Sequence, residues 1–195
     1  MGKIFSHMTM SLDGYIADPK DQVGELFDWY NAGKVKVPSA SADISFQVDE
    51  KSAEVLHELT ANVGALVSGR RLFDVAKGWN DNHPVGAPVV VVTHNPPVNA
   101  AKAFPKTTFI AGVGPAIARA REIAGEKNIT IASANIIQQA LKLGLVDEVC
   151  ISLVPVLFGE GISYFSKLDD GHKMLEDPVV VQGRRALHLR YKVRR

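Results

Sequence analysis

The sequence predicts an α/β protein with a mixed, mainly parallel sheet that ends in an antiparallel strand pair. Short apolar runs alternate with amphipathic helical segments, which is the pattern of parallel strands joined by crossover helices. Residues 88–93 contain four consecutive valines, as expected for a strand covered on both faces. Residues 179–182 and 186–193 flank Gly183-Arg184-Arg185, and this spacing indicates a closing antiparallel pair.

Length and composition are those of a soluble globular protein, and we expect one domain over residues 1–195. The 22 basic and 21 acidic residues nearly cancel, so neither a nucleic acid nor a membrane is expected as a partner. Cys150 has no second cysteine to pair with, and it lies in an apolar run. Without a signal peptide or an apolar span of roughly 18 residues, the chain is expected in the cytoplasm.

Local signals place the other elements in order. The predicted strands are residues 3–10, 65–68, 107–111, 129–132 and 149–158. The predicted helices are residues 50–61, 114–124 and 136–143, with Asp49 as the cap of the first and Gly125 and Gly144 as stops of the others. Residues 18–48 predict a long loop with one short helix and an aromatic group at Phe27, Trp29 and Tyr30.

The segment from residue 129 to residue 144 has the layout of a phosphate site. A short strand leads through Ser133-Ala134-Asn135 into an amphipathic helix. The start of a helix presents unpaired N–H groups and the positive end of the helix dipole, and small side chains let an anion approach. Asn135 is the expected cap of this helix. These features favour a nucleotide cofactor, but the absence of glycine from the turn weakens the signal.

Polar and charged side chains follow other buried strands. Gly69-Arg70-Arg71 can hold a phosphate through its guanidinium groups, or it can form a solvated basic turn. Thr93-His94 can bind a ribose phosphate, or His94 can be a surface residue. Because the carboxyl ends of parallel strands meet at one edge of a sheet, we expect these segments and residues 133–135 to converge on one ligand.

Other candidates have equally plain structural alternatives. Asp13-Gly14 ends the first strand, where the carboxylate can orient a substrate, relay a proton or make an ordinary turn. Trp79 can stack on a flat heterocycle or fill the core. Gly112-Val113-Gly114 lacks the third glycine of a dinucleotide fingerprint, and the histidines have no metal-ligand spacing. The basic C-terminal group predicts a solvated strand edge: Arg184, Arg185, Arg190, Lys192, Arg194 and Arg195.

Several motifs, in this order, resemble those of the dihydrofolate reductase-like proteins, specifically those similar to the reductase (RibD C-terminal) domain of bacterial riboflavin biosynthesis. They are residues 11–17 (SLDGYIA), 64–71 (GALVSGRR), 88–97 (PVVVVTHNPP), 143–148 (LGLVDE) and 155–161 (PVLFGEG). The last two are the most specific, and the resemblance spans nearly the whole chain.

That resemblance implies a three-layer α/β/α fold with NADPH across the carboxyl ends of the strands. It implies hydride transfer to a pterin-like or ribosylamino-pyrimidine substrate, often in a homodimer. Gly69, Arg70 and Arg71 would meet the adenosine side, and Thr93 and His94 the 2′-phosphate. The pyrophosphate would meet Ser133, Ala134, Asn135, Ile136 and Ile137. The nicotinamide and the substrate would be bordered by Asp13, Gly14 and Ile16.

The chain departs from the family pattern at Ala132-Ser133, where relatives usually carry Gly-Gly. Two added Cβ atoms crowd the place where the backbone approaches a pyrophosphate, and a positive φ at either residue would be strained. Two hypotheses therefore stand. One is an NADPH-dependent reductase of a small heterocycle, and the other is a catalytically quiet relative that keeps the fold as a binding or dimeric scaffold.

Overall fold

A computed structural model describes residues 2–41, 44–166, 168 and 171–194. Its strands, in chain order, are β1 (Ile4–Ser11), β2 (Val35–Val37), β3 (Phe46–Val48), β4 (Val63–Gly69), β5 (Val89–Val92), β6 (Thr107–Ile110), β7 (Asn128–Ala132), β8 (Glu148–Val154), β9 (Val179–Gln182) and β10 (Leu187–Lys192). Its α-helices are α1 (Glu50–Thr60), α2 (Arg70–Val75), α3 (Ala100–Ala103), α4 (Val113–Ala124) and α5 (Ala134–Lys142).

One mixed sheet organises the described residues, with its strands in the order β6-β5-β4-β7-β1-β8-β10-β9. The pairs from β6 through to β8 are parallel, whereas β10 runs antiparallel to both β8 and β9. The parallel strands require crossovers, which the helices between them provide. The predicted mainly parallel sheet with a C-terminal antiparallel pair is confirmed.

Side chains alternate between the two faces of the sheet and build separate clusters. On one face, α4 and α5 bury Ile117, Ile137 and their neighbours against strand residues such as Ile131. On the other face, α1 packs with the segment that precedes it, and Leu56 and Trp29 lie in the same buried cluster. The sheet is therefore sandwiched between helical layers, and the carboxyl ends of its parallel strands open between them.

The region predicted as a loop at residues 18–48 has more structure than expected. A 3₁₀-helix covers Gly24–Asn31, and β2 and β3 form an antiparallel pair. Each strand has three residues, too short for a clear alternating pattern in the sequence. Ala42 and Asp43 of this region lie outside the described residues, as does Arg195 of the predicted basic group.

The helix over residues 50–61 is confirmed within one residue as α1. The Asp49 carboxylate accepts hydrogen bonds from the N–H groups of Lys51 at 3.0 Å and Ser52 at 3.2 Å, which is the predicted cap. Among the described residues, no helix is both long and apolar enough to cross a membrane.

Close packing of α4 on the sheet depends on Gly64 in β4. A Cβ atom at Gly64 would lie 2.7 Å from Ala124 Cα and 2.8 Å from Lys127 Cβ. We expect Gly64→Ala to lower the free energy of unfolding by about 1–3 kcal/mol, because the helix must move. The matched control is Gly114→Ala in α4, where a Cβ meets nothing within 4 Å. That change should raise stability by about 0.5–1 kcal/mol. Denaturant unfolding of both variants measures the difference, and equal effects would contradict it.

Candidate active site

A cleft of about 1390 Å³ opens at the carboxyl ends of the parallel strands. Most of the residues predicted to bind cofactor or substrate line it. They are Ile16, Gly69, Arg70, Arg71, Trp79, Thr93, His94, Ser133, Ala134, Asn135 and Ile136. Loops far apart in sequence thus converge as expected, because β5, β4, β7 and β1 are parallel neighbours in the sheet.

The turn from β7 into α5 is held by an unusual conformation of Ser133. Its φ of 151° and ψ of 135° lie in a region that glycine enters readily and other residues enter at a cost. Its hydroxyl accepts a hydrogen bond from the Gly69 N–H at 2.9 Å, and its side chain does not cap α5. Ser133 therefore has the backbone conformation expected of the glycine usual at this position, and its hydroxyl is bonded to Gly69 at the end of β4.

The start of α5 remains available to a ligand in the cleft. The first N–H groups of a helix have no acceptor within the helix, and the Ser133 hydroxyl does not supply one here. Ala134 and Ile136 line the cleft in this first turn. A helix start with this geometry favours an anion through its N–H groups and its dipole.

The predicted cap at Asn135 is wrong, because Ser133 is the N-cap residue. Asn135 lies within the first turn, where its side-chain carbonyl accepts from the Gln139 amide at 2.6 Å. Ile137 is also displaced from its predicted role. Its side chain is buried in the core between sheet and helices, outside the cleft lining, and its N–H bonds the Ser133 carbonyl at 3.1 Å.

Basic side chains surround the other side of the cleft. Arg70 forms an ion pair with Asp74 at 2.8 Å and donates to the Asn95 carbonyl, which ties the loop after β5 to the start of α2. Thr93 Oγ1 accepts from the Asn95 N–H at 3.1 Å. Arg71 is exposed and pairs with Asp21 at 2.8 Å. An anion arriving here meets guanidinium groups that are already held in place by carboxylates.

Asp13 has a different environment from the one predicted. Its carboxylate accepts hydrogen bonds from the Ser11 hydroxyl at 2.5 Å and from the N–H groups of Phe158 and Gly159 at 3.0 and 2.7 Å. The hydroxyl bond in particular holds the pKa of Asp13 below its usual value. Neither Asp13 nor Gly14 lines the cleft. Through these contacts Asp13 connects the turn after β1 with the turn at residues 158–159. They give the predicted catalytic role no support.

Trp79 reaches the cleft from a left-handed turn. Lys77, Gly78, Trp79, Asn80 and Asp81 have φ values between 49° and 60°, a conformation that costs non-glycine residues roughly 1–2 kcal/mol each. The turn is anchored at Asp81, which accepts from the N–H of Lys106 at 2.9 Å and the hydroxyl of Thr107 at 2.8 Å. Trp79 packs edge-on against His83, with ring centroids 4.6 Å apart.

The aromatic wall of the cleft contains residues that the sequence analysis did not assign to the site. Phe27 stacks on Tyr30 at 4.7 Å, and Tyr30 meets Phe46 edge-on at 4.7 Å. Both Phe27 and Tyr30 line the cleft, so the region at 18–48 contributes one of its walls. A flat heterocycle suits such a wall, because aromatic rings stack face to face in offset pairs.

His7 in β1 is the other residue that the sequence analysis missed. It lines the cleft together with Phe5 and Thr9, which share its face of the strand. Burial, with a smaller contribution from His188, lowers the pKa of His7 to about 4, and burial alone does the same for His83. Both rings are therefore neutral at neutral pH. The available signal was the series of polar residues at alternate positions of the first strand, His7, Thr9 and Ser11.

Comparison with known proteins gives a consistent result. The family model described as the RibD C-terminal domain matches residues 2–176. A putative riboflavin biosynthesis protein from Shewanella sp. PV-4 is 25% identical, with a TM-score of 0.71 and 99% of both chains covered. No match is found among the curated proteins.

Two more distant structures share the fold. A dihydrofolate reductase from Enterococcus faecalis, complexed with NADP(H) and RAB-propyl, is 14% identical, with a TM-score of 0.61 and coverage of 99% of this chain and 97% of that one. The riboflavin biosynthesis reductase Rib7 from Saccharomyces cerevisiae is 13% identical, with a TM-score of 0.61 and coverage of 99% and 90%. The predicted dihydrofolate reductase-like fold is confirmed.

The strained backbone at Ser133 leads to a testable difference between two substitutions. Ser133→Ala and Ser133→Gly both remove the acceptor of the Gly69 N–H, but only glycine relieves the strain. We expect the glycine variant to be more stable than the alanine variant by about 1–2 kcal/mol, measured by denaturant unfolding. At Ser45, which is exposed and has no positive φ, glycine should be no more stable than alanine. An alanine variant as stable as the glycine variant at residue 133 would contradict the strain.

Proposed function

Because this chain belongs to the RibD C-terminal domain family, we propose that it is a reductase that transfers a hydride from NADPH to a flat pyrimidine-like or pterin-like heterocycle. A 5-amino-6-(5-phosphoribosylamino)uracil-like compound and a dihydrofolate-like compound are the substrate classes that the family resemblance suggests. The same resemblance suggests a homodimer. The proposal rests chiefly on one observation. Three polar segments from separate parts of the chain, residues 69–71, 93–94 and 133–135, line one cleft that also has an aromatic wall.

The residues present fit a dinucleotide phosphate. No side chain caps the N–H groups at the start of α5. A Cβ at Gly69 would crowd Ile136 at 3.2 Å and the Ser133 hydroxyl at 3.3 Å, so glycine lets the end of β4 lie close to this turn. Ser133, Ala134, Asn135 and Ile136 would hold the pyrophosphate. Arg70, Arg71, Thr93 and His94 would hold the adenosine side and its 2′-phosphate.

The aromatic wall would orient the substrate. Trp79, Phe27 and Tyr30 offer ring surface to a heterocycle, and Ile16, which also lines the cleft, would border the nicotinamide and the substrate. NADPH supplies the hydride when it is bound, and the task of the chain is to hold both rings in contact and to exclude water. Asp13 is not assigned a step, because its carboxylate is already bonded to three donors.

A second candidate is a scaffold without catalytic activity. The observation in its favour is the substitution of Ala132-Ser133 for the usual Gly-Gly, since Ala132 also lines the cleft and adds a Cβ there. A protein of this kind would bind no NADPH, or would bind it without turnover. The two candidates therefore differ in a direct binding measurement.

Titration with NADPH, monitored by the emission of Trp79 and Trp29, tests the proposed function. Saturable binding is expected, and Arg70→Ala should weaken it. A hydrogen bond to a charged group contributes about 1.5–3 kcal/mol, which corresponds to roughly a tenfold to hundredfold higher Kd. Consumption of NADPH with dihydrofolate or the ribosylamino-pyrimidine as the acceptor then measures turnover.

Arg119→Ala is the matched control for this titration. Arg119 is exposed on α4, pairs with Glu122 at 2.6 Å and does not line the cleft, so its loss should leave the Kd unchanged. Absence of NADPH binding at millimolar concentrations would overturn the reductase and favour the scaffold. Equal weakening by both arginine substitutions would place the cofactor elsewhere.

A further inference from the structure

A continuous row of hydrogen bonds crosses the covered face of the sheet, from the aromatic side of the cleft to the start of α1. His7 Nε2 lies 2.9 Å from the Ser152 hydroxyl, which lies 2.9 Å from His188 Nδ1. On the far side of that ring, His188 Nε2 lies 3.0 Å from the Ser52 hydroxyl, which donates to Asp49 at 2.6 Å. Four hydrogen bonds therefore connect a residue of the cleft with a partly exposed carboxylate.

The register of the sheet builds this row. Ser152 in β8 pairs directly with His188 in β10 on one side and with Thr9 in β1 on the other. His7 lies two residues before Thr9 and shares its face of the strand, so its ring reaches Ser152 diagonally. α1 packs on the same face and brings Ser52, which is fully buried, over His188. Residues from three strands and one helix are thus aligned by the fold itself.

The middle of the row is closely packed, since Ser52, Ser152 and His188 are buried. Trp29 is 1% exposed and packs edge-on against His188, with ring centroids 5.0 Å apart. The turn between β9 and β10 passes over the row at Gly183, where any Cβ atom would overlap the Ser52 hydroxyl. The next residue, Arg184, donates its N–H to Asp49 at 2.8 Å. A glycine is required here because the hydroxyl occupies the space of a side chain.

When Asp49 is ionised, only one assignment of donors and acceptors satisfies every hydrogen bond of the row. The Ser52 hydroxyl donates its single proton to the carboxylate, so its oxygen must accept from His188 Nε2–H. A neutral His188 then has a bare Nδ1, which must accept from the Ser152 hydroxyl. Ser152 in turn must accept from His7 Nε2–H. His7 Nδ1 is left as an unprotonated acceptor, and it makes no hydrogen bond within the described part of the chain.

The acid–base properties agree with this assignment. Burial lowers the pKa of His188, although the nearby Asp49 opposes the shift, so the ring is neutral at neutral pH. Burial alone would raise the pKa of Asp49, but hydrogen bonds from the Ser52 hydroxyl and from the N–H groups of Arg184, Ser52 and Lys51 outweigh it and hold that pKa below its usual value. Asp49 is therefore the ionised end of the row.

We propose that the row Asp49–Ser52–His188–Ser152–His7 is a proton relay between solvent and the cleft, and that His7 Nδ1 is the atom that exchanges a proton with the substrate. This inference rests on the proposed function, in which each hydride added to a carbon of the heterocycle must be matched by one proton. The proton enters from solvent on the Asp49 carboxylate. The Asp49 carboxylic acid then donates to Ser52 instead of accepting from it, so both hydroxyls turn and both rings carry their proton on Nδ1. His7 Nδ1–H gives its proton to the substrate, and Ser152, His188, Ser52 and Asp49 each pass one proton to the next group toward the cleft, which returns both rings to the Nε2–H form. Asp49 returns to its ionised form, so the protons balance.

The tautomers of the two rings test the relay without any substrate. In the wild-type chain, ¹⁵N NMR at neutral pH should find both His7 and His188 neutral with the proton on Nε2. In Asp49→Asn the amide donates to Ser52, every hydroxyl turns, and both rings should carry the proton on Nδ1. Glu50→Gln, an exposed neighbour with no place in the row, should leave both tautomers unchanged. A His7 ring that is the same in wild type and Asp49→Asn overturns the proposal.

Turnover separates this inference from the proposed function. Ser152→Ala cuts the row between the two rings and should lower kcat by about a hundredfold, the usual effect of losing a proton-transfer group, with the Kd for NADPH unchanged. Full turnover in Ser152→Ala overturns the relay and leaves the reductase standing. A wild-type chain that binds no NADPH overturns the reductase, while reversal of the tautomers still establishes the connection between Asp49 and His7.

Discussion

The bond from the Gly69 N–H to the Ser133 hydroxyl joins the ends of two parallel strands at the centre of the cleft. It holds Ser133 in a conformation that glycine would adopt without cost, and it keeps the hydroxyl away from the start of α5. The N–H groups of that helix therefore remain open to an anion. The same bond holds the end of β4 beside this helix start, and Arg70 and Arg71 follow Gly69 directly.

The cleft has two halves with different chemistry. Near α5 and the loops after β4 and β5, backbone N–H groups and arginines favour phosphate groups. Near β1, aromatic rings and a neutral His7 favour a flat heterocycle, and the row of hydrogen bonds behind His7 links this half to Asp49 at the helix cap. Asp49, the N-cap residue of α1, thus also determines which ring nitrogen of His188 and His7 carries the proton. One carboxylate satisfies a helix terminus and orients the histidines.

Most of the fold could be predicted from the sequence because apolar runs, caps and glycine stops act locally. The edge that collects Gly69, Thr93 and Ser133 also followed from strand direction alone. What could not be predicted depends on three-dimensional packing. β2 and β3 are too short to show a pattern. The left-handed turn at Trp79 has only Gly78 as a local sign, and the contact between Ser152 and His188 exists only once β10 pairs with β8.

A crystal structure of the chain with bound NADP(H) is the decisive measurement. We expect the pyrophosphate to lie against the backbone N–H groups of residues 134–136, with Ser133 keeping its positive φ and its bond to Gly69. We also expect the nicotinamide on the side of Ile16, facing the aromatic wall. The proposed site is wrong if the dinucleotide binds away from the carboxyl ends of the strands, or binds there only after the Ser133 hydroxyl leaves Gly69.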